Sequence, residues 1–379
     1  MRTSLWCMIV VCLLFMICGA SAAVSGEKWI RTTASAGFPD RAGDAGLVYN
    51  DTMWILGGST NSGLTGLNDT WYSKDGVHWT EATPAAEFPG RYDFSALVFD
   101  GKMWVIGGYN GRVALNDVWY STDGVSWTEA TASTGFTGRL AAGSVVYNNR
   151  MWLIGGFDGH FPWDDVWSSA DGVHWKQVNE SAAFGDRSGL SAAVYDNRMW
   201  VIGGSKGHTT LNDVWYSTDG VSWTEATAAA GFAPRAGQVS PVYDGRLWVI
   251  GGTDPSKAMN DTWYSTDGAH WTEDSASAEF PARFDFPGLV YDNRMWVIGG
   301  ATSATTTVGN DTWYSSGPGG APVPVSPGDQ SSGPWIWILA AAGILVVIAA
   351  FFILQKRTNV PDKKPAGRKS GKKDRKKKK

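Results

Sequence analysis

Cysteine is almost missing from this chain of 379 residues: Cys7, Cys12 and Cys18 are the only three, and all lie in the first twenty positions. They belong to an apolar run from Leu5 to Cys18 that follows Arg2 and precedes Ala20-Ser21-Ala22, the layout of a secretory signal over residues 1–22. Once such a signal is removed no thiol remains, so disulfides cannot hold the exported chain together. Positive charge is scarce everywhere but at the end. Of 32 Lys and Arg, 13 fall in residues 355–379 and one is Arg2, which leaves 18 against 34 of the 36 acidic residues, a net of −16 for the exported part. That balance argues against a nucleic-acid or anionic-membrane role for it. Histidine numbers only five.

What the chain has in abundance is repetition. Diglycines begin at Gly57, Gly107, Gly155, Gly203, Gly251 and Gly299, one step of 50 followed by four of 48. Before each stands an Arg, an apolar run ending in Tyr or Phe, a two-residue turn and a short strand such as Met103-Trp104-Val105-Ile106. After each come a variable stretch, Asn-Asp-x-Trp-Tyr-Ser or a close variant, Asp-Gly and a further Trp. Self-similarity at this period denotes a repeat architecture. The turns Asn50-Asp51, Asp100-Gly101, Asn148-Asn149, Asp196-Asn197, Asp244-Gly245 and Asp292-Asn293 suit type I′ hairpins. Each unit therefore reads as four short antiparallel strands.

The sixth unit stops after Trp313-Tyr314-Ser315-Ser316 and lacks its fourth strand. Lys28-Trp29-Ile30-Arg31-Thr32-Thr33 reads like the missing piece. A first strand that completes the last unit closes a ring, so the fold class expected is all-β: a six-bladed β-propeller of four-stranded blades over residues 23–316. The diglycine, the Asn-Asp before the third strand and the spaced Tyr and Trp resemble the kelch family, over residues 27–316. The resemblance implies the propeller and a preference for binding roles. Three Trp per unit account for 18 of the 22, leaving Trp6, Trp163, Trp335 and Trp337 outside the repeat. Repeat tryptophans are scaffold, each burying roughly 150–250 Å².

Beyond the ring, residues 317–334 are rich in Pro, Gly and Ser and read as a stalk. Residues 335–354 carry no charge and are long enough for one transmembrane helix. The basic tail 355–379 then orients the chain, tail in the cytoplasm and propeller outside, and is suited to anionic lipid head groups. The expected location is the plasma membrane, in a single pass.

Catalytic readings meet obstacles. Ser121-Thr122-Asp123-Gly124-Val125-Ser126-Trp127 is similar to the Asp box of sialidases, one residue short, and that box is a structural turn; no arginine triad with a Tyr nucleophile can be picked out. A copper-radical oxidase, the chemistry found on some kelch propellers, needs a Tyr crosslinked to Cys. His78, His174 and His270 share one position at the outer blade edge. His160 and His208 recur on neighbouring units, where equivalent sites about 10 Å from a six-fold axis are about 10 Å apart, against roughly 4 Å for two ligands of one zinc. No metal or other cofactor is expected.

The expected function is thus a membrane-anchored binding or adhesion module for an extracellular protein or glycan, with a sialidase-like glycosidase as the alternative. Ligand would be met on the face made by the loops joining strands two to three and strand four to the next unit. Candidate contacts are Tyr109, Phe157, His160, Phe161, Trp163 and His208, together with the recurring Arg41, Arg91, Arg139, Arg187, Arg235 and Arg283. In kelch domains that bind acidic peptides, arginines so placed reach ligand carboxylates. Alternatively each pairs with a carboxylate of its own unit, such as the Asp of Asn-Asp, and is scaffold.

Overall fold

A computed structural model describes residues 27–60, 65–302 and 308–317. Six four-stranded antiparallel sheets stand in a ring. The first blade is β2 (Ala45–Val48), β3 (Met53–Leu56), β4 (Thr70–Ser73) and β5 (Thr80–Thr83); the second is β6 (Ser95–Phe99), β7 (Lys102–Ile106), β8 (Val118–Ser121) and β9 (Thr128–Thr131). The third comprises β10 (Gly143–Tyr147), β11 (Arg150–Phe157), β12 (Pro162–Ser169) and β13 (Trp175–Asn179), and the fourth β14 (Ser191–Tyr195), β15 (Arg198–Lys206), β16 (Thr209–Ser217) and β17 (Thr224–Thr227). The fifth holds β18 (Val242–Tyr243), β19 (Arg246–Ile250), β20 (Thr262–Ser265) and β21 (Thr272–Ser275). The sixth is β22 (Gly288–Tyr291), β23 (Arg294–Ala301), β24 (Val308–Ser315) and, from the other end of the chain, β1 (Trp29–Thr33).

Closure is as the permuted repeat demands. Trp29 pairs with Ser315, Ile30 with Tyr314 and Arg31 with Trp313, and the Asn310 amide donates to the carbonyls of Ala36 and Phe38 at 3.1 and 2.8 Å. All six first hairpins turn on two residues of positive φ, from 47° at Asn148 to 66° at Gly101, the requirement of a type I′ turn.

One boundary differs from expectation. The second strand does not end at the diglycine in blades three, four and six; β11, β15 and β23 run through it and pair onward, Phe157 with Pro162 and Lys206 with Thr209. The two glycines absorb the extra residue as a bulge, with φ of 60° and 105° at Gly155 and Gly156, conformations that cost a glycine little.

The blades adhere through tryptophan. Trp54, Trp104, Trp152, Trp200 and Trp296 are buried on the second strands, each against the turn glycine of the following blade: Gly124, Gly172, Gly220, Gly268 and Gly76 in that order. A Cβ at any of those glycines would overlap the indole. Among the described residues no helix is long and apolar enough to cross a membrane. The expected signal segment, transmembrane segment and basic tail, and all of the stalk after Gly317, lie outside them.

Candidate functional site

The six arginines do not face a ligand. Their side chains are 0–2% exposed, and each makes a two-pronged ion pair with the Asp in, or immediately before, its own blade's third strand. Arg91 donates from Nη1 to Asp117 Oδ1 at 2.7 Å and from Nη2 to Oδ2 at 2.8 Å, and also to the carbonyls of Gly107 and Pro89. The same set joins Arg41 to Asp69, Arg139 to Asp165, Arg187 to Asp213, Arg235 to Asp261 and Arg283 to Asp311. A Trp two residues on donates its indole N–H to the same carboxylate, Trp119 to Asp117 at 2.7 Å. Burial opposes ionisation of Asp261 and Asp311, yet the arginine bonds prevail and hold both below the usual carboxylate range. Of the two readings of these arginines, the geometry has the scaffold one: a guanidinium spent on two carboxylate oxygens and two carbonyls has no free edge for a ligand.

Trp163 likewise turns inward. It occupies the position of Leu67, Leu115 and Leu211 and lies over Arg139, 5.8 Å from ring centroid to guanidinium carbon. The Asp165 side chain beneath is 4% exposed, against 11–18% for its five counterparts. Trp163 is half-buried and packs over this ion pair. The Ser-x-Asp-Gly turns are structural too: Ser121 Oγ accepts from Gly124 N–H at 2.8 Å, and Asp123 Oδ1 from Val125 and Ser126. His78, His174 and His270 stand exposed at these turns, each on its own Asp at 2.7–2.8 Å.

The loop face does bring other expected residues together. Between blades two and three lies a groove of about 510 Å³ lined by Tyr109, Arg112, Val113, Asp158 and His160 among others. Asp158 Oδ1 accepts from the N–H of His160 and of Phe161, both at 2.7 Å. Burial pushes its carboxyl up, but these bonds outweigh burial and leave it low. The closed tip pushes Phe161 out, 69% exposed, and Val113 across the groove is 56% exposed. Tyr109 meets Tyr92 at 5.6 Å between ring centroids. Phe157 is half-buried and bridges Leu140 through its backbone, and His208 is exposed at the next hairpin tip. No group of three His, Cys, Asp or Glu among the described residues can hold a metal ion.

The axis itself holds a feature the sequence did not announce. Two residues after each arginine come Gly43, Asp93, Ala141, Gly189, Gly237 and Asp285, all with φ between 50° and 65°. Each donates its N–H to the carbonyl of its counterpart in the preceding blade, Gly43 to Asp285, Asp93 to Gly43 and so on round to Asp285 to Gly237, at 2.7–3.0 Å. This closed belt rims a cavity of about 230 Å³ lined also by Asp44, Phe94, Leu190, Gln238 and Phe286. Burial, only partly offset by Arg41 and reinforced by Asp69 and Asp93, pushes Asp44 up to about 7. Burial likewise raises Asp93 to about 6 and lifts Asp285, which also feels Asp93.

A raised carboxyl binds its proton more tightly folded than unfolded, so its cost is absent below the usual carboxylate range, grows as pH rises and is complete above about 7. Asp44→Asn is expected to stabilise the protein at pH 8 by on the order of 3 kcal/mol and to leave it unchanged at pH 4. Thermal melts of both proteins across that range check this, and a variant melting no higher at pH 8 would contradict it.

A KLHDC2/KLHL20/DRC7 kelch-repeats domain matches residues 169–300, and a kelch motif matches residues 90–120. No curated protein matches the chain. With the blade geometry, these matches place kelch repeats at residues 90–120 and 169–300 of a six-bladed β-propeller.

Proposed function

We propose that the propeller is a binding module whose loop face seats a protein or peptide partner, with the groove between blades two and three as the main contact and Phe161 as its anchor. A kelch propeller is in general a protein-binding scaffold. The observation that carries the finer reading is the large aromatic ring held 69% exposed beside a groove that Tyr109, Val113 and His160 share. A rigid aromatic anchor next to a concave, mixed polar and apolar surface is what interface hot spots are made of. Display at the cell surface, through residues 335–354 and with the tail 355–379 on the cytoplasmic side, comes from the sequence alone.

Peptides selected from a displayed library against the full-length chain test the site. Phe161→Ala is expected to weaken most of them by about tenfold or more without lowering the melting temperature. Binders indifferent to Phe161 but sensitive to the opposite hairpins, for example at Asp100-Gly101, would place the working face on the other side. Protease added to intact cells tests display separately: release of the propeller supports it, and protection of the propeller overturns it.

A further inference from the structure

We propose that the mouth of the central shaft is a binding site for a single guanidinium group. The site is separate from the groove at Phe161 and does not depend on it. Three carboxylates face this cavity, from Asp44, Asp93 and Asp285. Asp44 is 8% exposed and neither of its carboxylate oxygens has a partner. Gln238, 5% exposed, gives its amide N–H to the Ile202 carbonyl at 2.8 Å, which leaves its Oε1 without one. A buried acceptor left unpaired costs on the order of 1–3 kcal/mol, and here one carboxylate and one amide oxygen share a single cavity.

The belt explains how the acids come to be there. Asp93 leans over Gly43 and Asp285 over Gly237, each filling the space that a Cβ on the glycine would take. The acids thus sit apart around a rim. Since no three of them approach closely enough for one metal ion, the ligand has to carry its own spaced donors. A guanidinium does, with five N–H groups in a plane and a charge delocalised over them, whereas an ammonium concentrates three donors at a point. The aromatic rings of Phe94 and Phe286, which also line the cavity, suit its faces. Burial pushes the three carboxyls up when no cation is bound, so a bound cation would draw protons off them.

The test uses the full-length chain and methylguanidinium, with methylammonium and Ca²⁺ as competitors. Calorimetry at pH 7 is expected to show saturable binding of methylguanidinium with proton release, seen as a heat that depends on the buffer. Asp44→Asn and Asp285→Asn should each weaken binding by about tenfold or more, while Phe161→Ala leaves it unchanged. Asn tolerates the left-handed backbone of position 285 and mimics a protonated Asp at position 44, so both variants keep the fold. Tighter binding of a capped Gly-Arg-Gly peptide than of methylguanidinium would assign the ligand to a partner's arginine side chain, and the reverse order to a free small molecule. Absence of saturable binding, undiminished binding by the two Asn variants relative to the unsubstituted chain, or preference for Ca²⁺ or methylammonium would overturn the proposal.

Discussion

A chain that begins at Gly37 is expected to lose its single cooperative melting transition and to aggregate. Removing residues 27–36 takes away β1, and with it Trp29, which is buried edge-on against Phe280 with centroids 5.0 Å apart. Deleting a buried Trp side chain alone costs about 3–5 kcal/mol. The whole strand also leaves β24 with an unpaired edge, a template for association with other chains. A domain whose total stability is roughly 5–15 kcal/mol has little left after such a loss. Calorimetry and light scattering on the shortened protein measure both effects. An unchanged transition would show that β1 contributes nothing to closure.

The second large effect is expected at the arginines. Arg91→Leu leaves the Asp117 carboxylate in the blade interior with the Trp119 indole as its remaining side-chain partner, and breaking one side of a buried ion pair costs about 3–5 kcal/mol. Arg91→Lys should recover only part of this, because an ammonium cannot span two carboxylate oxygens and two carbonyls at once. Denaturant unfolding of the two variants, with the double variant Arg91→Leu/Asp117→Leu recovering at least half of the loss, checks the assignment. Full stability in Arg91→Leu would return the arginines to the role of ligand contacts.

Repetition made most of the fold legible. Six in-register copies of diglycine, Asn-Asp and Trp gave the strands, and the split sixth copy gave the closure. The same regularity hid the role of the arginines. A residue present in every copy suits a ring of cations around an axis and a ring of internal ion pairs equally well, and only the distance from guanidinium to carboxylate separates the two. Trp163 departs from Leu, which in the sequence suits a binding plate or simple packing; in the structure it is half-buried and lies over Arg139, whose partner Asp165 is the least exposed of the six. Phe161 was legible because an aromatic at a hairpin tip has no neighbour to pack on. The shaft was not. Gly43, Asp93, Ala141, Gly189, Gly237 and Asp285 vary as loop residues do, and their common property is backbone conformation, which Gly at three of the positions and Asp at two only hint at.

The closure has a mechanical side. Gly317 donates its N–H to the Glu27 carboxylate at 2.9 Å, so both described ends leave the ring side by side, at the end of β24 away from the variable loops. β24 is gripped by β23 on one flank and β1 on the other. A pull at Gly317 enters an interior strand and has to strain two rows of hydrogen bonds together, where a terminal strand at a blade's rim would peel one bond at a time. Force borne through the C-terminal end alone also bypasses β1, the strand held by one neighbour. The permutation that closes the ring thereby suits its C-terminal end to resist a pull, with the loop face on the far side of such a pull.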